Sequence, residues 1–249
     1  MDRLRCPWGM PPGRPSPLDR RTALALLGRA GVVLLTGCGS APEAPACVIP
    51  PELTAGPYWR DASLHRSDLR WNTAATGGDP QPGVLLQLAI RVVTTSDAGC
   101  RPVRGARVDV WHCDALGVYS DVPDRGTAGQ DFLRGYQVSD AAGQVMFSTV
   151  FPGWYAGRAV HVHTRVRLFD PFGEPSTDVS SQLFFDDAVT DAVLATAPYA
   201  ERGPRDTRNP VDPIYAGHTE LLVPLEGAVS SGYRGEVALG IRVGEVRPG

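Results

Sequence analysis

The sequence predicts an all-β protein, a β-sandwich with long loops and little helix. Three observations carry this. Several short runs alternate apolar and polar residues with a period of two. They are separated by turns from a chain rich in Gly (28) and Pro (23). Only Asp187 to Thr196 has a helical pattern, and it is short. Hydrophobic residues make up 43% and charged residues 20% of the 249-residue chain, a globular balance.

The strands are expected in the following order. Val84 to Thr95 places Leu86, Leu88, Ile90 and Val92 on one face. Gly99-Cys100-Arg101-Pro102 reads as a turn, and Arg104 to His112 as the second strand. Residues 120–131 read as loop, followed by strands at Phe132–Val138, Gln144–Val150 and Arg158–Phe169. Gln182–Phe185, Glu220–Leu225 and Arg234–Val243 complete the set. Residues 51–83 show little periodicity and read mostly as loop.

The N-terminal 37 residues read as an export segment. Arg20-Arg21 precede an apolar run from Ala23 to Leu35, too short for a mature membrane span. The run ends in Leu35-Thr36-Gly37-Cys38, which resembles a bacterial lipobox with Cys38 as the lipidated N-terminus; the paired arginines resemble a twin-arginine signal. Residues 38–50, small and Pro-rich, read as a tether, and residues 51–249 as the folded domain. On this reading the protein is exported and meets the membrane only through its lipid. The first 37 residues hold six arginines and two aspartates, so the formal charge of −3 becomes −7 without them. That argues against nucleic acid as a partner. All 24 basic residues are arginine.

Beyond Cys6 and Cys38 the chain has Cys47, Cys100 and Cys113. Cys100 and Cys113 are expected to flank a single strand, and thirteen extended residues span roughly 43 Å, beyond disulfide reach. A bridge is therefore expected to use Cys47, with the third thiol free.

Chemistry concentrates in Pro152-Gly153-Trp154-Tyr155-Ala156-Gly157-Arg158-Ala159-Val160-His161-Val162-His163. In a strand, i and i+2 share a face, so His161 and His163 point the same way and can reach one metal ion. Tyr119 and Tyr155 add two phenols. A phenol with an ordinary pKa near 10 yields a phenolate only to a strongly acidic cation. Zinc sites use mostly Cys, His and carboxylate, and soft copper sites need thiolate or thioether. Two phenolates and two imidazoles therefore suit Fe(III).

These residues resemble the intradiol ring-cleavage dioxygenases. The resemblance rests on Trp111-His112-Cys113-Asp114-Ala115-Leu116-Gly117-Val118-Tyr119-Ser120, on Arg134-Gly135 with Ser139-Asp140-x-x-Gly143, and on the segment from Pro152 to His163. Thr54-Ala55-Gly56-Pro57-Tyr58, Arg66-Ser67-Asp68, Gln182-Leu183-Phe184-Phe185 and Asn209-Pro210-Val211-Asp212-Pro213-Ile214-Tyr215 support it. It implies a non-haem Fe(III) held by Tyr119, Tyr155, His161 and His163, with Tyr155 leaving the iron when substrate arrives. It also implies Arg158 as the active-site arginine, Gln182 as its support, and Gly56 and Pro57 as pocket lining. The implied substrates are O2 and a small aromatic diol, cleaved between its hydroxylated carbons to a cis,cis-muconate-type product. Catechol, protocatechuate, hydroxyquinol and lignin-derived catechols all remain open, as does oligomeric state. The chain departs from cytoplasmic catechol dioxygenases in lacking their helical N-terminal dimerisation region, and is most similar to single-domain secreted members.

The turn and strand pattern also resembles a prealbumin-like sandwich. A non-catalytic prealbumin-like module binding a partner at the cell surface would explain the turns, but not Tyr119, Arg158 and His161-x-His163 together. A copper/zinc superoxide dismutase needs more histidines than the five present, and a cupredoxin needs a ligand cysteine late in the chain, where none follows Cys113.

Overall fold

The computed structural model describes residues 49–74, 78–96 and 99–242. The expected export segment, Cys38, most of the tether, and Cys47 lie outside them. Two β-sheets face each other. One contains β1 (Leu85–Ser96), β2 (Gly99–Pro102), β5 (Gln144–Val150), β8 (Leu225–Ala228) and β9 (Gly232–Ile241). The other runs β4 (Arg134–Val138), β3 (Arg107–Trp111), β6 (His161–Phe169), β7 (Pro175–Phe184). The all-β sandwich expected from the sequence is the observed architecture.

β1 organises the first sheet. Antiparallel β5 and then β2 follow one another along one edge, and β9 runs parallel on the other. Leu86, Leu88, Ile90 and Val92 are fully buried on its inner face. They join Val108, Val110, Val162 and Val166 of the opposing sheet in one apolar core. The period of two that fills this core turns His161, His163, Arg165 and Arg167 of β6 to the other face. Helix α1 (Asp187–Leu194) follows β7, its start capped by the Asp186 carboxylate, which accepts the N–H groups of Ala188 and Val189.

Several expected boundaries shift. Gly99–Pro102 is a strand, not a turn; four exposed residues carry no alternation, and pairing with the end of β1 defines them. Cys100 and Cys113 are thus separated by more than one strand. Cys100 is disulfide-bonded and Cys113 is a buried free thiol, so the two do not pair. β6 begins at His161, not Arg158. β7 starts at Pro175, seven residues before the expected Gln182. Of residues 220–225 only Leu225 lies in a strand, as the first residue of β8; Thr219–Leu221 is a 3-10 turn and Leu222 makes a single bridge to Phe184. Leu221 and Val223 alternate because both are buried, not because they pair in a ladder.

A strap, residues 51–61, crosses the outer face of the second sheet, and residues 64–69 continue along the β4 edge to β5 of the other sheet. Asp61 anchors this strap, accepting from Arg107 at 2.7 Å and Arg167 at 2.8 Å. Those contacts, Arg167 foremost, hold the Asp61 carboxyl down at about 2. Trp59 packs its ring on Trp111 and under the Arg165 guanidinium. Among the described residues no helix is long and apolar enough to cross a membrane.

Candidate active site

The candidate residues meet on the outer face of the second sheet, beside the strap. His161 and His163 sit side by side on β6, their Nε2 atoms 3.1 Å apart. The carbonyl of Ala159 accepts the Nδ1 proton of His161 at 2.7 Å, which leaves a bare lone pair on Nε2. His163 stacks on Trp111, its cross-strand partner in β3, with centroids 4.8 Å apart and planes within 6°. Burial pushes His161 down to about 3 and His163 well below the ordinary imidazole range, so both rings are neutral donors.

Two loops bring the tyrosines to these rings. Tyr119 follows the turn after β3, and Tyr155 follows β5. Tyr155 Oη lies 3.1 Å from His161 Nε2. Tyr119 is buried, with a hydroxyl that has no hydrogen-bond partner. The loops touch backbone to backbone. A Cβ at Gly117 would lie 2.0 Å from the Trp154 carbonyl oxygen, and one at Gly153 would lie 2.3 Å from that of Ala115. Arg202 clasps both, donating to the Leu116 carbonyl at 2.8 Å and stacking over Trp154.

The two phenols are not equivalent. Burial raises Tyr119 well above the usual phenol range, while the half-buried Tyr155 is raised to about 12, with Arg158 opposing the rise. Neither phenol ionises near neutrality without a cation beside it. A buried hydroxyl without a partner costs ~1–3 kcal/mol. Two inward Nε2 atoms, an orphaned phenol and a second phenol on one imidazole form a neutral O,N-donor set, which fits a hard, strongly acidic cation such as Fe(III).

Arg158 lies beside this donor set. Its Nη2 donates to Gln182 Oε1 at 2.6 Å and its Nε to Asp212 Oδ2 at 2.9 Å. Gln182 pairs with His163 across β6 and β7, and its amide donates to the Thr54 carbonyl. Gly56, with φ of +70°, lies against His163, where a Cβ would come 3.4 Å from the ring. Pro57 follows in the same turn and is exposed. The structure thus brings Tyr119, Tyr155, Arg158, His161, His163, Gln182 and Gly56 to one place. His112 does not join them. It is a satisfied core histidine, bonded to the Cys113 carbonyl and to Thr149.

Three neighbours have no role assigned from the sequence. Tyr58 stacks on Tyr119 with centroids 4.3 Å apart. Arg134 is buried and donates to the Ser120 hydroxyl, the Ser120 carbonyl and the Tyr58 carbonyl. Asp212 is the third, through its bond to Arg158. Each stands in one of the motifs that carry the family resemblance, but no spacing rule connects residues so far apart in the chain.

A family model described as Dioxygenase matches residues 54–191, more than half of the chain, and places it in the dioxygenase class. The chain is 34% identical over 147 residues to the protocatechuate 3,4-dioxygenase beta chain of Burkholderia cepacia, covering 53% of this chain and 61% of that one. It is 33% identical over 98 residues to the chlorocatechol 1,2-dioxygenase of Pseudomonas sp. (strain P51), covering 32% and 38%. The chain therefore spans less than two thirds of the length of these relatives. Among solved structures, the intradiol ring-cleavage dioxygenase from Tetranychus urticae superposes with a TM-score of 0.66 at 26% identity, covering 78% of this chain and 94% of that one. The chain belongs to the intradiol ring-cleavage dioxygenase family.

Proposed function

We propose that this protein is a non-haem Fe(III) intradiol dioxygenase. It inserts both atoms of O2 between the hydroxylated carbons of a catechol-type aromatic and yields a cis,cis-muconate-type product. The observation that carries this is the convergence of the His161 and His163 Nε2 atoms, the orphaned Tyr119 hydroxyl and Tyr155 on one sheet face.

Tyr119, Tyr155, His161 and His163 would hold the iron. When bound, it supplies Lewis acidity toward the diol hydroxyls and a partner for dioxygen. The protein's own work is positional and electrostatic. The Ala159 carbonyl keeps the His161 lone pair aimed inward. Trp111 and Tyr58 flank His163 and Tyr119 with aromatic surface that excludes water. Tyr155 is the less buried phenol and the one with its oxygen on an imidazole, so as the phenolate that the iron would hold it is the better placed to give up its position and accept a diol proton. Arg158, held by Gln182 and Asp212, offers a fixed positive charge to the anionic ring. Cys38 would anchor the exported protein by its lipid.

The test is oxygen uptake by the iron-loaded protein with a panel of catechols, read beside its colour. A red to burgundy protein is expected, because phenolate-to-Fe(III) charge transfer absorbs visible light. A colourless metallated protein, or one carrying stoichiometric zinc or copper, overturns the assignment. Release of the full chain from membranes by Cys38→Ala tests the anchor; a variant still membrane-bound refutes it.

A further inference from the structure

We propose that Asp212 is the positioning residue of this site, a single carboxylate that sets Arg158 and His161 relative to each other. The proposal rests on the dioxygenase reading above. Asp212 lies between Pro-rich turns far along the chain, and its side chain is completely buried. Its Oδ2 accepts Arg158 Nε at 2.9 Å and the backbone N–H of Ala159 at 2.7 Å. Its Oδ1 accepts the backbone N–H groups of Ile214 at 2.7 Å and Tyr215 at 2.9 Å.

The Ala159 peptide links the carboxylate to the imidazole. Its N–H is held by Asp212, and the carbonyl of the same residue takes the Nδ1 proton of His161 at 2.7 Å. One oxygen of Asp212 therefore orients the guanidinium directly and, through Ala159, the lone pair that His161 turns inward. The neighbouring Nη2 of the guanidinium is held by Gln182, itself tied to the strap at Thr54. Arg158 is clamped from two directions, and its freedom to rotate is lost before substrate arrives.

A purely structural role for Asp212 would need only Oδ1, which closes the turn onto Ile214 and Tyr215. Asparagine does that equally well with its amide oxygen. The second oxygen distinguishes the two roles. In Asp212→Asn an NH2 would face two donors, Arg158 Nε and Ala159 N–H, and neither bond can form. A buried carboxylate is costly unless it is paired and fully bonded. Here four donors satisfy it, and the one formal positive charge among them is Arg158.

The experiment is a double-mutant cycle in the full chain with Arg158→Ala and Asp212→Asn, read in two ways. In the iron-loaded protein, Asp212→Asn is expected to keep its iron and lose turnover by about 10–100-fold. The double variant should lose less than the product of the two single losses, because part of the action of Asp212 runs through Arg158. In the metal-free protein, the Arg158 Nε proton should exchange slowly in wild type and rapidly in Asp212→Asn. Arg158→Ala, which leaves the carboxylate unpaired, should melt below the double variant. Wild-type turnover in Asp212→Asn, or losses that multiply in the double variant, would overturn the proposal. So would a double variant less stable than either single one, which is the signature of a turn-holding role. If Asp212→Asn does not fold, Asp212→Glu lengthens the reach by one methylene and, because it keeps the charge, is read by turnover and Arg158 Nε exchange alone: slower turnover with faster exchange supports the proposal, and unchanged values of both overturn it. An inactive iron-loaded wild type overturns the dioxygenase reading itself, and the metal-free cycle still decides separately whether Asp212 holds Arg158.

Discussion

Replacing Gly153 by alanine should damage the site from outside it. The backbone at Gly153 is not left-handed, so the penalty is steric rather than conformational. The new Cβ would lie 2.3 Å from the Ala115 carbonyl oxygen and 2.6 Å from both the Ala115 carbonyl carbon and the Asp114 oxygen. All three are backbone atoms, which cannot rotate away as a side chain can. Ordinary contact begins near 3.4 Å, so the two loops must part by about 1 Å. The Gly153 N–H to Asp114 carbonyl bond, now 3.0 Å, is strained by the same movement. Overpacking of this kind costs ~1–3 kcal/mol, and each kcal/mol lowers the melting temperature by roughly 2–4 °C in a domain of this size. The larger effect falls on function, because the parted loops carry Tyr119 and Tyr155. A displacement of about 1 Å can cost on the order of 10²-fold in rate. The assay is iron content, visible absorbance, turnover and melting temperature for Gly153→Ala beside Gly105→Ala. At Gly105 the φ of +81° strains an added side chain but nothing lies within 4 Å of it. The control should lose ~1 kcal/mol and keep its iron. Equal iron affinity and turnover in both variants would refute the claim that the backbone contact between these loops sets the tyrosine pair.

Three further outcomes are expected. His161→Ala and His163→Ala should each lose iron, whereas Arg158→Ala should keep iron and colour and turn over about 10²–10³-fold more slowly, the loss of ~3–4 kcal/mol typical of a removed pre-placed charge; iron content measured beside oxygen uptake separates the two classes. Burial holds His112 down at about 4, so the unfolded chain takes up a proton there before the folded one does. Its contribution to stability is complete above about pH 6.5 and is lost as pH falls toward 4, about 3 kcal/mol in all. Urea unfolding of the metal-free protein should show a smaller drop between pH 7 and pH 4 in His112→Gln than in wild type, and an equal drop would contradict this. Arg134→Met removes three hydrogen bonds that tie Ser120 and the strap together, and should cost about 3 kcal/mol with weakened iron binding; an unchanged melting curve would show those bonds to be dispensable.

Much of the site is legible in the amino-acid sequence. The period of two on β6 is local, so it places His161 and His163 on one face and the valines on the other. The motifs around Tyr119 and Tyr155 carry glycines that the fold requires: at Gly117 and Gly153 no side chain fits between the loops. Other features are hidden for physical reasons. β7 begins with Pro175-Ser176-Thr177-Asp178, polar residues whose strand identity comes from pairing with β6 and from the Arg165–Asp178 ion pair. Leu221 and Val223 alternate without a ladder, because burial alone produces the same pattern.

The sequence by itself determined the class of fold, the shared face of the two histidines and the chemical character of the donor set. Each follows from strand geometry, turn residues and the acid–base nature of the side chains, which act over a few residues. The tertiary structure alone decided that residues 51–61 cross the second sheet and press Gly56 onto His163. It alone joins Arg134 to Ser120 and Tyr58, and brings Asp212 to Arg158 as the carboxylate that holds it. These contacts link segments with no common period and little propensity of their own. Their positions are set by long-range burial and by the need to satisfy every buried charge, and only the folded chain expresses either.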